Sequence, residues 1–180
     1  MKIFGIDPGS ERTGYGCIES DGSRHRLVIC GFLSGPARAT FSDKLNVIHA
    51  GLQDLLRRHR PDCVAVEDIF HARNVRSALK LGHARGVVLL AASQAHVPIW
   101  EYAPAEIKRA VVGYGRAEKA QIQQMVKLLL ALDETPKPHD VADALAVAIC
   151  HVHNGTGAIA ERARAEPART GLRSWRDYRP

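Results

Sequence analysis

The sequence predicts an α/β protein with a five-stranded mixed sheet flanked by helices. Short apolar segments of strand length alternate with longer segments in which apolar residues recur at helical spacing. One predicted helix separates a β-hairpin from the next strand, and such a crossover allows that strand to lie parallel to an earlier one. With 180 residues, of which 46% are hydrophobic and 24% charged, the chain has the composition of a globular protein with one core.

A strand and a hairpin open the chain. Residues 2–6, "KIFGI", form an apolar strand that ends at Asp7. Segments 14–20 and 26–33 flank Asp21-Gly22, a dipeptide that favours a tight turn between antiparallel strands. Three strands are therefore predicted before the first helix.

A helix, a strand and a second helix follow. Apolar residues recur at helical spacing from Leu45 to Leu56, arginines close this helix, and Pro61 ends it. The segment "CVAVE" (63–67) is then a buried strand that ends in an acid. Residues 74–96 form a long helix.

The last strand and three helices complete the predicted domain. Residues 98–103, "PIWEYA", form the fifth strand, and a short helix includes residues 107–111. A further helix runs from Ala117 to Leu132. The final helix starts after Pro138, since proline is common just ahead of a helix or in its first turn.

Beyond the final helix the apolar pattern is lost. Residues 1–154 are predicted to form the folded domain and residues 155–180 a disordered basic tail, because this segment has few apolar residues and six arginines. Additional contact with DNA or a partner is one interpretation of the tail. Simple solubility is the other, since runs of charge are usually solvated.

The overall charge favours an anionic partner. The chain carries a net charge of +6 and has a pI near 9.4, a balance that is common among nucleic-acid-binding proteins. The four cysteines are widely spaced in apolar segments, which predicts buried free thiols. No apolar run is long enough to span a membrane, and the N-terminal segment is a strand, so a cytoplasmic protein is expected.

Four acids lie where the predicted elements could bring them together. Asp7 and Glu67 each end an apolar strand, and Asp140 and Asp143 open an apolar helix. Each acid alone could be a turn residue or a helix cap. If the two strands pair in parallel, however, Asp7 and Glu67 emerge side by side, where ligands gather in such sheets.

A cluster of these acids would need a cation. Packed carboxylates repel one another unless they bind protons or metal ions, and all-oxygen ligands select magnesium or manganese. Two such ions about 4 Å apart can activate a water and stabilise the leaving oxygen in phosphodiester cleavage. This chemistry suits a basic protein that binds a polyanion.

Four stretches of the chain, in order, closely resemble the RuvC family of Holliday junction resolvases, which have an RNase H-like fold. They are "GIDPGSERTGYG" (5–16), "VEDIFHARNVRSALKLGHARG" (66–86), "VVGYGRAEKAQIQQMV" (111–126) and "HDVADALAVAICH" (139–151). The resemblance implies a homodimeric, metal-dependent endonuclease of recombination and repair. It would cut four-way DNA junctions by paired symmetric nicks that leave 5′-phosphates. It also implies cooperation with a branch-migration motor complex of the RuvA and RuvB type.

The resemblance also assigns roles to individual residues. Asp7, Glu67, Asp140 and Asp143 would be the catalytic acids and would hold two Mg²⁺ or Mn²⁺ ions per active site. Phe70 would stack on bases near the junction, although a core position at the strand end is an alternative for it. Lys108 and Lys119, with Arg116 beside them, would contact DNA phosphates, and a solvated helix face is the alternative for them. Four further predicted DNA contacts open the long helix, whose start suits phosphate binding through its backbone N–H groups: Arg73, Asn74, Arg76 and Lys80.

Three other functions compete with this interpretation. Sugar kinases and chaperone ATPases also begin with a strand followed by "GIDPG", but their two related domains need far more than 180 residues. A junction-binding module without catalysis would retain only some of the acids. Another RNase H-like nuclease would share the acids and differ in the substrate it prefers.

Overall fold

The structure is a computed structural model that describes residues 1–68 and 74–164, with side chains described as far as residue 154. Its five strands are β1 (Lys2–Asp7), β2 (Thr13–Ser20), β3 (His25–Leu33), β4 (Cys63–Glu67) and β5 (Ile99–Tyr102). The helices in these residues are α1 (Phe41–His59), α2 (Val75–Gln94), α3 (Pro104–Val112), α4 (Lys119–Leu129) and α5 (His139–Arg164). The predicted α/β class and element order are confirmed.

The strands form one mixed sheet in the order β3-β2-β1-β4-β5. β1 pairs antiparallel with β2 and parallel with β4, and β5 continues the parallel half. The predicted hairpin joins β2 and β3. Its turn requires a glycine because Gly22 has a φ of 100°. Backbone N–H groups of Arg24 and Ser23 donate to the Asp21 carboxylate and lower the pKa of Asp21 to about 2.

Both faces of the sheet are covered, so neighbouring residues of β1 enter different cores. Ile3 packs in the core beneath α3, α4 and α5, and Phe4 packs in the core beneath α1 and α2. The central strand β4, "CVAVE", is accordingly buried and apolar on both faces. Because helices pack on both faces of the sheet, the strands that carry Asp7 and Glu67 are held in place.

Three glycines allow α5 to lie very close to β1 and β2. A Cβ added at Gly5 would overlap the carbonyl oxygen of Ala144, and one at Gly14 would overlap that of Asp140. At Gly16 it would overlap the side chain of Leu145. The start of α5 is therefore pressed against the sheet beside the end of β1.

Several boundaries differ from the predictions. α1 starts at Phe41, ahead of Leu45, because the hydroxyl of Thr40 accepts a hydrogen bond from the N–H of Asp43 at 3.2 Å and caps the helix. α5 continues past the predicted domain boundary at 154 as far as Arg164, in a segment rich in the helix formers alanine, glutamate and arginine. Residues 165–180 of the predicted tail lie outside the described residues.

The cysteines are free, as predicted. Cys17, Cys63 and Cys150 are buried, and burial raises the pKa of each of these thiols to about 12. Cys30 is only partly buried. In residues 1–68 and 74–164, no helix has an apolar stretch of the length that crossing a bilayer requires.

Candidate active site

Asp7 and Glu67 lie next to each other at one edge of the sheet. Ile6 of β1 is in register with Val66 of β4 in the parallel pair, so the acids that follow them leave the sheet at the same end. Asp7 and Glu67 line the same cavity at this edge of the sheet. The predicted pairing of these strands is confirmed.

The start of α5 adds two more acids. Asp140 lies in the first turn, where a carboxylate opposes the positive end of the helix dipole. Asp143 lies beyond the first turn, because the helix already begins at His139. Asp143 instead lines a cavity of about 230 Å³ together with Asp7 and Glu67. Helix capping therefore does not account for Asp143.

The carboxyl groups in this cavity repel one another. Burial, followed by the negative charges of Glu67 and Asp143, raises the pKa of Asp7 well above its usual value, and Asp140 contributes in the same direction. Burial and the charge of Asp143 also raise the pKa of Glu67. Such shifts at converging groups in a cleft are typical of functional sites.

Two lysines line the same cavity. The Nζ atom of Lys119 lies 3.2 Å from an oxygen of Asp143, and attraction by that carboxylate raises the pKa of Lys119. Lys108, from α3, lines the cavity from the opposite helix. The structure thus brings two of the predicted DNA contacts, Lys108 and Lys119, into the cavity that Asp7, Glu67 and Asp143 line.

Asp140 faces an adjoining groove of about 800 Å³. There the Nη1 atom of Arg12 lies 3.3 Å from an oxygen of Asp140. The guanidinium group of Arg12 also lies 4.8 Å from the centre of the Phe32 ring. Arg12 was not among the predicted site residues, because its contact with Asp140 arises only when α5 packs on β2.

The remaining predicted DNA contacts are distributed around this groove and beyond it. Asn74 lines the groove and caps α2, since its side chain accepts a hydrogen bond from the N–H of Ser77 at 2.9 Å. Arg76 is exposed on α2, and Lys80 lies 5.6 Å from the centre of the Phe41 ring. Arg116 is exposed and lines neither the cavity nor the groove. Phe70 and Arg73 lie outside the described residues.

The four acids have the chemistry of a divalent-cation site. In the described part of the chain, no three histidine, cysteine, aspartate or glutamate side chains are placed to hold an ion as they stand. Lys119 and Arg12 instead neutralise two of the carboxylates. The four side chains nevertheless offer carboxylate oxygens, which are the ligands that a hard divalent cation prefers. Such a cation would also relieve the repulsion that raises the pKa of Asp7.

Comparison with protein families gives a match over most of the chain. The model of the family described as crossover junction endodeoxyribonuclease RuvC matches residues 3–151. A crossover junction endodeoxyribonuclease RuvC from Pelotomaculum thermopropionicum is 50% identical over 87% of this chain and 95% of that protein. One from Heliobacterium modesticaldum is 52% identical over 90% of this chain and 100% of that protein.

A solved structure shows the same fold. The RuvC protein of T. thermophilus in complex with a Holliday junction substrate superimposes with a TM-score of 0.80 at 34% identity. The match covers 87% of this chain and 96% of that one. The residues that the family model matches, 3–151, include all four acids.

Proposed function

Because the chain belongs to the RuvC family of crossover junction endodeoxyribonucleases, we propose that Asp7, Glu67, Asp140 and Asp143 are the residues with which it resolves four-way DNA junctions. The chain is an endonuclease of recombination and DNA repair, and its reaction is the hydrolysis of phosphodiester bonds. This assignment rests on one observation: acids from β1, β4 and α5 meet at one edge of the sheet.

Metal dependence is general in the family, and we propose two Mg²⁺ or Mn²⁺ ions for each site. The four carboxylates would hold them. When bound, such ions supply an activated water and stabilise the leaving oxygen of the phosphodiester. Support comes from the raised pKa of Asp7, since close carboxylates at neutral pH need positive charge nearby. The products would be paired nicks with 5′-phosphate ends.

Lys119 and Lys108 have separate positions on the rim of the cavity. Lys119 is exposed for 69% of its side chain and contacts Asp143, so its ammonium group can contact both the acidic site and a phosphate from solvent. Lys108 projects from α3 into the same cavity. We assign both to contacts with phosphate groups, which position a strand without reading its sequence.

The groove beside Asp140 is the proposed path of the DNA backbone. Its lining includes polar groups such as Ser10, Asn74 and Ser77, and it borders the start of α2, whose free N–H groups favour a phosphate. Arg76 and Lys80 follow on the same helix. Phe70 and Arg73, from the segment between β4 and α2, and Arg116, from the segment before α4, remain proposed contacts from the sequence.

A homodimer is proposed through the apolar face of α2, defined as Val75, Leu79, Gly82, Gly86 and Leu90. Val75 is 77% exposed, Leu79 60% and Leu90 51%, and a Cβ at either glycine would meet no atom within 4 Å. Exposed apolar side chains along one helix favour an interface. Two copies related by a twofold axis would present two sites to two opposing strands.

The cellular setting follows from the substrate. We propose that the enzyme acts in the cytoplasm and receives junctions from a branch-migration complex of the RuvA and RuvB type. The folded nuclease domain would end near residue 154, and residues 155–180 would form a basic tail that starts with the continuation of α5 to Arg164.

Cleavage of a synthetic four-way junction, compared with a linear duplex of the same sequence, tests the proposal. Wild-type protein should make paired nicks in the junction with Mg²⁺ or Mn²⁺ and none in EDTA, and Asp7→Asn should lose about 10²-fold or more in rate. Asp54→Asn is the matched control, because Asp54 forms ion pairs with Arg57 and Arg58 on the surface of α1, on a helix that lines neither the cavity nor the groove. Equal cutting of the duplex would indicate a general nuclease. Junction binding without cleavage in any metal would indicate a binding module.

A further inference from the structure

Arg12 forms a contact with the active site that the proposed chemistry does not use. Its Nη1 atom lies 3.3 Å from the carboxylate of Asp140, at the side of the site away from Lys119. The ring of Phe32 supports the guanidinium group from β3 at 4.8 Å. A cation stacked on an aromatic face has a defined position, even at an exposed site.

This ion pair can open without disturbing the fold. The side chain of Arg12 is 46% exposed and that of Asp140 33% exposed, and both line the open groove. Arg12 also lies in the loop between β1 and β2, where a change of rotamer displaces no core residue. The contact is therefore reversible on the surface of the folded protein.

A divalent cation and Arg12 would need the same carboxylate. A carboxylate paired with a guanidinium has lost part of its negative charge and one of its oxygen lone pairs to that partner. Binding of a metal ion at Asp140 must then displace the guanidinium or share the oxygen with a nearby positive charge. Either case makes metal binding weaker than it would be at an unpaired Asp140.

We propose that Arg12 is a positioning residue that holds the Asp140 carboxylate before a metal ion binds, and that it competes with the metal ion for that carboxylate. The inference rests on the proposed metal site. It makes Arg12 and Phe32 determinants of the metal concentration that the enzyme needs. Arg12 holds Asp140 oriented toward the groove, and its departure accompanies loading of the site.

Direct titration of the full-length protein with Mn²⁺, followed by the electron paramagnetic resonance signal of free Mn²⁺, tests this competition without any cleavage. Arg12→Ala and Arg12→Gln should each bind Mn²⁺ about two- to fivefold more tightly than wild type, the range expected for an exposed ion pair. Arg12→Lys, which keeps the charge, should remain closer to wild type. The concentration of Mn²⁺ for half-maximal junction cleavage should fall by the same factor.

Two further variants separate competition from other effects. Arg26→Ala removes the same net charge from an exposed pair with Glu19 at the far end of the β2–β3 hairpin, and its affinity for Mn²⁺ should not change. Phe32→Leu should shift the affinity in the direction of Arg12→Ala by a smaller factor. High salt should reduce the difference between wild type and Arg12→Ala, because exposed pairs are screened.

The possible results separate two hypotheses: that Arg12 competes with the metal ion, and that the four acids bind a metal ion at all. Unchanged or weaker Mn²⁺ binding by Arg12→Ala, with normal binding by wild type, would overturn the role of Arg12 and leave the proposed function intact. An equal gain in Arg26→Ala would also overturn it, since the effect would then be one of overall charge. Absence of Mn²⁺ binding by wild type would overturn the metal site and this inference together.

Discussion

At the scale of single residues, Asp7 is the position where the requirements of stability and chemistry oppose each other. It lies at the end of a buried strand and next to Glu67, with Asp143 across the cavity. Burial and these two negative charges raise the pKa of Asp7. The native fold therefore opposes the ionised form of Asp7 that the proposed metal site needs.

Replacing Asp7 by asparagine should stabilise the metal-free protein while it abolishes cleavage. The substitution removes a carboxyl group whose ionised form its neighbours repel, and it leaves an amide that can donate a hydrogen bond to Glu67. The melting temperature should rise by about 2–4 °C for each kcal/mol of repulsion removed. Calorimetry in EDTA at pH 7 measures this change, and a clear decrease would mean that Asp7 is primarily structural.

The same variant should change the pH dependence of stability. Because the native pKa of Asp7 is raised above an unfolded value of about 3.9, the native state binds more protons at this group than the unfolded state. Its favourable contribution is complete below the unfolded pKa and is lost as the pH rises through the native pKa. Urea unfolding from pH 4 upward should show this loss in wild type and a shallower decline in Asp7→Asn.

At the scale of elements, the close packing of α5 on the hairpin strands places the acids. Gly14 of β2 lies directly against the backbone carbonyl of Asp140. A side chain at this position would displace the start of α5, which carries both Asp140 and Asp143. The positions of Asp140 and Asp143 thus depend on the lack of a side chain at residue 14 of β2.

Gly14→Ala should consequently reduce both stability and cleavage. The added Cβ overlaps backbone, which cannot rotate away, so the free energy of unfolding should fall by about 1–3 kcal/mol. Chemical denaturation and junction cleavage measure the two effects. Gly115→Ala is the matched control because its nearest neighbour would be the carbonyl oxygen of Ala105 at an ordinary 3.6 Å. Similar losses in both variants would contradict a specific role for Gly14.

Most of the elements could be predicted from the sequence because local patterns determine them. Asp21-Gly22 specifies its hairpin, and the apolar spacing in α1 specifies a helix, since both depend on neighbours in the chain. The meeting of Asp7 with Glu67 required only the assumption of parallel pairing. The contact of Arg12 with Asp140 could not be predicted, because it depends on how closely α5 approaches β2.

At the scale of the whole molecule, the apolar face of α2 is a surface that the described residues leave uncovered. Leu79 and its neighbours on this face remain exposed although the two cores of the domain are complete. A second copy of the chain would cover them. Paired nicks at a junction need two active sites at a fixed separation, which a dimer of this kind provides.

Leu79→Glu should therefore convert the protein to a monomer. A charge buried in an apolar interface costs about 3–5 kcal/mol, which weakens association by 100-fold or more. Sedimentation equilibrium measures the association, and the paired nicks should become single and slow. Leu128→Glu is the matched control on α4, where Leu128 is 68% exposed. A dimer that survives Leu79→Glu would exclude this face as the interface.

The position of α5 along the chain also bears on when the proposed active site would be complete. Asp7 belongs to the first strand, while Asp140 and Asp143 lie at the start of α5, whose buried residues include Val147 and Ile149. During synthesis, Asp7 therefore leaves the ribosome well before Asp140 and Asp143. A fragment without α5 would lack two of the four proposed metal ligands. On this assignment, the nuclease site would be complete only after α5 has been synthesised and has packed on the sheet.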